Sequence, residues 1–124
     1  MLQLILHLFG DYVTQSDWMA QNKTKASFPA FAHALAYSLP FLILTRSPLA
    51  LAVILITHFL IDRFRLARYV VFAKNFIGAP WPKWSDCKGT GYPSDRPAWM
   101  AVWLLIIADN TIHLAINYAA LRWL

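Results

Sequence analysis

A chain of 124 residues that is 59% apolar, 14% charged and of mean hydropathy +0.46 is one domain at most and lacks the charge, about 25%, that usually coats a soluble surface. The composition predicts an integral membrane protein, a single membrane-embedded domain over residues 1–124. The net charge of +5 falls on connections between apolar blocks, which argues against a nucleic-acid partner, and a lone cysteine, Cys87, excludes an internal disulfide.

Four apolar blocks follow one another. The first, residues 2–13, is short for a span of about 20 residues; it either continues through Thr14 and Gln15 or enters the bilayer part-way. No basic residue precedes it and no convincing cleavage site follows, so it is expected in the mature protein. The second, residues 28–45, has Pro29 at a helix start and Pro40 inside, where a kink is expected. The third begins after Ser47 and Pro48, a helix cap and first turn, and stays apolar to Asp62. Arg63, Arg65 and Arg68 then alternate with apolar residues as the helix emerges into the interface. The stretch 78–96, with Pro80, Pro82, Gly89, Gly91 and Pro93, opposes regular structure, while Trp81, Trp84 and Tyr92 suit an interfacial loop. The fourth block runs from about Pro97 to the C-terminus. The fold expected is an all-α, four-helix transmembrane bundle with a short first helix and an interfacial loop between helices three and four.

Lys23 and Lys25 lie in the first connection, seven basic residues from Arg63 to Arg96 lie around the third, and the second has only Arg46. The positive-inside rule therefore puts the first and third connections in the cytoplasm and both termini opposite, as for a multi-pass protein of a bacterial inner membrane.

All four histidines lie in apolar blocks, and three have an aspartate four residues away: His7 with Asp11, His58 with Asp62, and His113 with Asp109. Residues so spaced share a helix face. Six aspartates in the chain make three such pairs improbable by chance, and ionisable groups at membrane depth mark functional sites. The fourth histidine, His33, has Tyr37 one turn on as a possible hydrogen-bond partner. The bland alternative is a polar network that glues helices together.

A divalent cation would satisfy several of these groups at once. Candidate ligands are His7, Asp11, His33, His58, Asp62, Asp109 and His113, more than one zinc takes, so some are outer partners or two ions bind. Mixed imidazole and carboxylate donors suit zinc, manganese or iron, zinc foremost. A zinc with an open position lowers the pKa of a water toward ~7. Gln15, four beyond Asp11, is placed to orient water or substrate if the first helix extends so far; Asn110 points away from Asp109 and is left out of the set. Arg63, Arg65 and Arg68 read first as headgroup anchors, and beside Asp62 they would also meet a phosphate-bearing substrate. No phosphate-binding glycine loop, paired-cysteine motif or nucleophile elbow is present.

The run His7-Leu-Phe-Gly-Asp11-Tyr-Val-Thr-Gln15-Ser-Asp17-Trp18-Met-Ala-Gln-Asn-Lys23, with His33 and His58-Phe-Leu-Ile-Asp62, resembles the bacterial and phage membrane proteins grouped as domain of unknown function 3307. The resemblance implies a multi-spanning protein in which His7, Asp11, Gln15, Asp17, Trp18, Lys23, His33, His58 and Asp62 match the pattern. A looser similarity is to membrane-bound metal-dependent hydrolases, which raises that activity by analogy alone.

The leading expectation is thus an intramembrane metal-dependent hydrolase acting on a lipid or phosphoester near the cytoplasmic leaflet, with Asp11 or Asp62 as general base. A divalent-metal or proton transporter or channel is the alternative, and a structural or phage-encoded membrane interaction protein is a third. Membrane lipids are the expected partners, and four short helices bury so little area that a homo-oligomer stays open.

Overall fold

A computed structural model describes residues 1–124 and contains helices but no strand. Helix α1, Leu2–Leu8, widens into a π turn over Phe9–Val13. Then come α2 (Asp17–Asn22), α3 (Ser27–Ser38, tightening into a 3-10 turn over Leu39–Ile43), α4 (Pro48–Phe64), α5 (Ala67–Lys74), α6 (Trp84–Cys87) and α7 (Ala98–Trp123). The all-α class is as expected. Four spans are expected from hydropathy, whereas α7 is the one helix long and apolar enough to cross a membrane.

Local chemistry explains the boundaries. Ser47 caps α4 by accepting from the Ala50 N–H at 3.2 Å, with Pro48 in the first turn. Arg65 ends that helix in the left-handed region at φ 53°, so Arg63, Arg65 and Arg68 do not continue one helix as expected. They fall on the last turn of α4, its cap, and α5. Pro40 does not kink a continuing α-helix either; lacking an N–H, it sits where the helix has tightened to 3-10 geometry. The first connection holds a helix that hydropathy did not reveal, α2, because its start is signalled by Ser16, which accepts from Met19 N–H at 3.3 Å. Helix α1 and its π turn stop at Val13, so Gln15 is not on the helical stripe of Asp11.

Two compact units divide the chain: Met1–Arg65 with His113–Leu124, and Leu66–Ile112. In the first, α3 packs along α4, and Leu6, Tyr37, Phe41, Ala50, Ile54 and Ala120 form an apolar core. Polar residues are buried beside it: His7, Asp11, His33, His58, Asp62, His113 and Asn117. The π turn meets α3 at Gly10, where an added methyl would lie 2.7 Å from Tyr37 Cδ2 and 3.1 Å from its carbonyl oxygen. In the second unit Trp84 stacks on Tyr69 at 4.8 Å, Arg68 lies 5.6 Å from the Trp84 ring, and Asn75 donates to the Gly91 carbonyl at 3.0 Å. The stretch expected as an irregular loop thus carries one helical turn, α6.

The contact at Gly10 is testable. Gly10→Ala is expected to destabilise the protein by about 1–3 kcal/mol, the usual range for overpacking, in thermal unfolding of the purified chain. Gly78→Ala is the control, since a methyl there meets nothing within 4 Å, and its midpoint should match the parent.

Candidate metal centre

Three helical segments deliver four donor groups to one point. Asp11 comes from the π turn, a wide helical turn that recurs at functional sites. His33 comes from the middle of α3, and His58 and Asp62 come from successive turns of α4, four residues apart. All four are buried. His33 Nε2 lies 3.2 Å from Asp11 Oδ1 and 3.2 Å from Asp62 Oδ2. His58 Nε2 lies 3.4 Å and 3.3 Å from the same two oxygens, and 3.0 Å from His33 Nε2.

Those distances can be tested against coordination geometry. Ligands bound at about 2.0–2.1 Å in a tetrahedron stand about 3.3–3.4 Å apart. Five of the six edges here measure 3.0–3.4 Å, so the donors stand at nearly the spacing an ion would require. Asp62 Oδ2 is buried and accepts no aligned hydrogen bond.

Each aspartate has a second oxygen, and each meets a further histidine. Asp11 Oδ2 is 3.6 Å from His7 Nε2, and Asp62 Oδ1 is 3.4 Å from His113 Nε2. These histidines belong outside the four donors, as the partners that orient metal-binding carboxylates do. His7 is held in turn by Tyr37, whose hydroxyl is 2.7 Å from His7 Nδ1 and accepts from Asn117 Nδ2 at 2.5 Å. Tyr37, one turn from His33, could hydrogen-bond it or simply pack; its ring packs on His58 and its hydroxyl reaches across to His7 on α1. The Nδ1 atoms of His33 and His58 have no hydrogen-bond partner, so packing sets these rings. His58 stacks on Tyr37 with centroids 3.6 Å apart.

One cation already reaches the centre. Lys23 Nζ is 2.7 Å from Asp62 Oδ2 and 3.3 Å from His33 Nε2, and the lysine side chain is 20% exposed. By the positive-inside rule Lys23 counts as a topology signal. Its place in the quoted His7-to-Lys23 run was the signal of another role, but pairing with Asp62 joins residues remote in sequence. Asn117 was missed for the same reason.

Gln15, Arg63, Arg65 and Arg68 contribute no donor to the four. Gln15 lies past the π turn, with its Oε1 buried and without a partner. Arg63 donates to the Thr24 carbonyl at 3.0 Å and to Ser27 Oγ at 3.4 Å, bracing the connection that carries Lys23. Arg65 is exposed at its cap, and Arg68 donates to the Lys88 carbonyl in the second unit. Asp109, one turn before His113 on α7 and half-buried, belongs with His113 to a second group of side chains that could hold an ion. Asn110, left out of the ligand set, donates to the Ile106 carbonyl of its own helix at 2.9 Å.

A family model described as protein of unknown function (DUF3307) matches residues 1–121. No curated protein and no solved structure matches the chain. The looser likeness to membrane-bound metal-dependent hydrolases finds no support in these comparisons.

Tyr37→Phe keeps the ring on His58 and removes the hydroxyl between His7 and Asn117. Two buried polar groups then lose a partner, and a loss of about 1–3 kcal/mol is expected in denaturant unfolding. An unchanged midpoint would show that His7 does not depend on Tyr37.

Proposed function

The chain belongs to the DUF3307 family of proteins of unknown function, and we propose that it is a membrane-embedded divalent-metal protein that hydrolyses a lipid or phosphoester near the cytoplasmic leaflet. The observation that carries the metal is the near-tetrahedral spacing of Asp11, His33, His58 and Asp62. One ion in that shell, zinc first and manganese or iron next, neutralises both carboxylates.

Membrane placement rests on an inverted surface. Leu4, Ile5, Leu8, Phe9 and Val13 from the first segment, Phe28, Phe31 and Leu35 of α3, and Leu49, Ile56 and Leu60 of α4 are exposed, while histidines and aspartates are buried. A soluble protein does the reverse. Helix α7 has span length, and only 11% of its most apolar window is buried, unlike a soluble core helix. The 17 residues of α4 rise about 26 Å, at the short end of transmembrane helices. A bundle of these helices with α1 entering part-way, multi-pass in a bacterial inner membrane and with Lys23 and Arg63 on the cytoplasmic side, accommodates both the polar centre and the basic connections.

Hydrolysis is favoured over transport by one-sided polarity. From His33 to Tyr37 to Phe41 along α3, and from His58 to Ile54 to Ala50 along α4, each turn away from Lys23 is less polar, ending in the apolar core with Leu6 and Ala120. The polar approach is the Lys23–Arg63 end, where two cations suit an anionic head group. When bound, the ion would supply Lewis acidity and acidify a water. The carboxylate oxygens facing the outer histidines, Asp11 Oδ2 and Asp62 Oδ1, are the candidate bases, each backed by an imidazole. Gln15, with its unpartnered buried oxygen, is the candidate for orienting water or substrate. The run from His7 through Tyr37 to Asn117 favours a second reading, proton or divalent-metal transport, because such chains also carry protons.

Metal analysis of purified protein is expected to find one divalent ion per chain, absent from the double variant His33→Gln, His58→Gln. His7→Ala, outside the four donors, should weaken affinity about 10–100-fold without abolishing binding. Loaded protein should release head groups from lipid vesicles or hydrolyse a phosphoester probe, whereas metal uptake into proteoliposomes without hydrolysis would install the transport reading instead.

A further inference from the structure

Two buried aspartates in an apolar setting call for two positive charges. Lys23 supplies one of them and does so at the oxygen that completes the tetrahedron, Asp62 Oδ2, 2.7 Å from its ammonium. The same ammonium lies 3.3 Å from His33 Nε2, a second donor of the four. An ion bound at about 2.0–2.2 Å from Asp62 Oδ2 would stand on the order of 4 Å from that ammonium. Like charges at that range, shielded from water, repel strongly. Lys23 and a divalent ion therefore exclude one another at Asp62.

The surroundings let the lysine leave. Its backbone closes α2, with the Lys23 N–H donating to the Met19 carbonyl at 2.9 Å. The next residues are pinned to α4 by Arg63, through the Thr24 carbonyl and Ser27 Oγ. The segment stays fixed while the flexible four-carbon stem turns, and a side chain 20% exposed has an open route outward.

We propose that Lys23 is a tethered cation that competes with the divalent ion for Asp62, so that filling the site and releasing the lysine toward the mouth are one event. This rests on the metal reading of the centre. The competition sets the affinity threshold at which the site fills and discriminates against monovalent ions, which bring no more charge than the ammonium they would displace. Filling the site also delivers a free ammonium beside Arg63, where an anionic ligand approaches.

The test uses the 124-residue chain in detergent micelles and zinc as the probe, titrated against a chelator. Lys23→Met should bind zinc about tenfold or more tightly than the parent, since the competing charge is gone. A second readout on the parent protein needs no variant. Acylation of amines followed by mass spectrometry should show Lys23 shielded without zinc and reactive with it, relative to exposed Lys25. Zinc bound equally well or less well by Lys23→Met, or Lys23 reactivity indifferent to zinc, overturns the competition while leaving the metal centre in place. Zinc bound by neither protein overturns the metal reading and the competition together.

Discussion

Two carboxylates buried among helices are the constraint on which the rest depends. Asp11 and Asp62 cannot hold their charge in an apolar interior unless every oxygen is met by a cation or a donor. The first unit is arranged around that demand. The inner oxygens face His33, His58 and Lys23, and the outer ones face His7 and His113. The widened turn at Phe9–Val13 includes Asp11, and the packing of Gly10 on Tyr37 brings that turn against α3. Tyr37 joins both layers, with its ring on His58 and its hydroxyl on His7.

Much of this is visible in the chain because helical period is a local property. His58 and Asp62 are one turn apart, as are His7 and Asp11, and both pairs meet as their spacing requires. Ser47 and Pro48 mark the start of α4 with similar directness. What the chain does not show is which faces turn toward one another. The spacing rule puts Asp109 and His113 on one face of α7, but does not show that His113 meets Asp62. It likewise places Gln15 on a stripe that ends two residues short of it. The pairing of Lys23 with Asp62 depends on α2, a helix whose only local sign is a serine cap. The arginine run reads as one basic face until the left-handed turn at Arg65 divides it.

An inverted arrangement also changes what holds the fold together. With leucine, isoleucine and phenylalanine outside, the proposed bilayer setting would gain little from burying more of the same, and close packing with interhelical polar contacts would carry the assembly. Gln3 reaching the Leu114 carbonyl at 2.7 Å and Asn117 reaching Tyr37 at 2.5 Å tie the last helix to the first and third. The buried imidazoles are structural in that sense whatever else they hold. Removing one changes both the site and the packing, so stability and metal content have to be read side by side.

The absence of glutamate from the sequence has a place in this geometry. Each carboxylate has to present one oxygen to the shared centre and the other to a histidine, within 3.6 Å on either side. A short side chain with one methylene allows both while the backbone stays helical. Aspartate thus fits because its two oxygens must serve two layers at once. Each inner carboxylate is paired with an outer histidine, whereas the Nδ1 atoms of His33 and His58 have no hydrogen-bond partner and packing alone sets those rings.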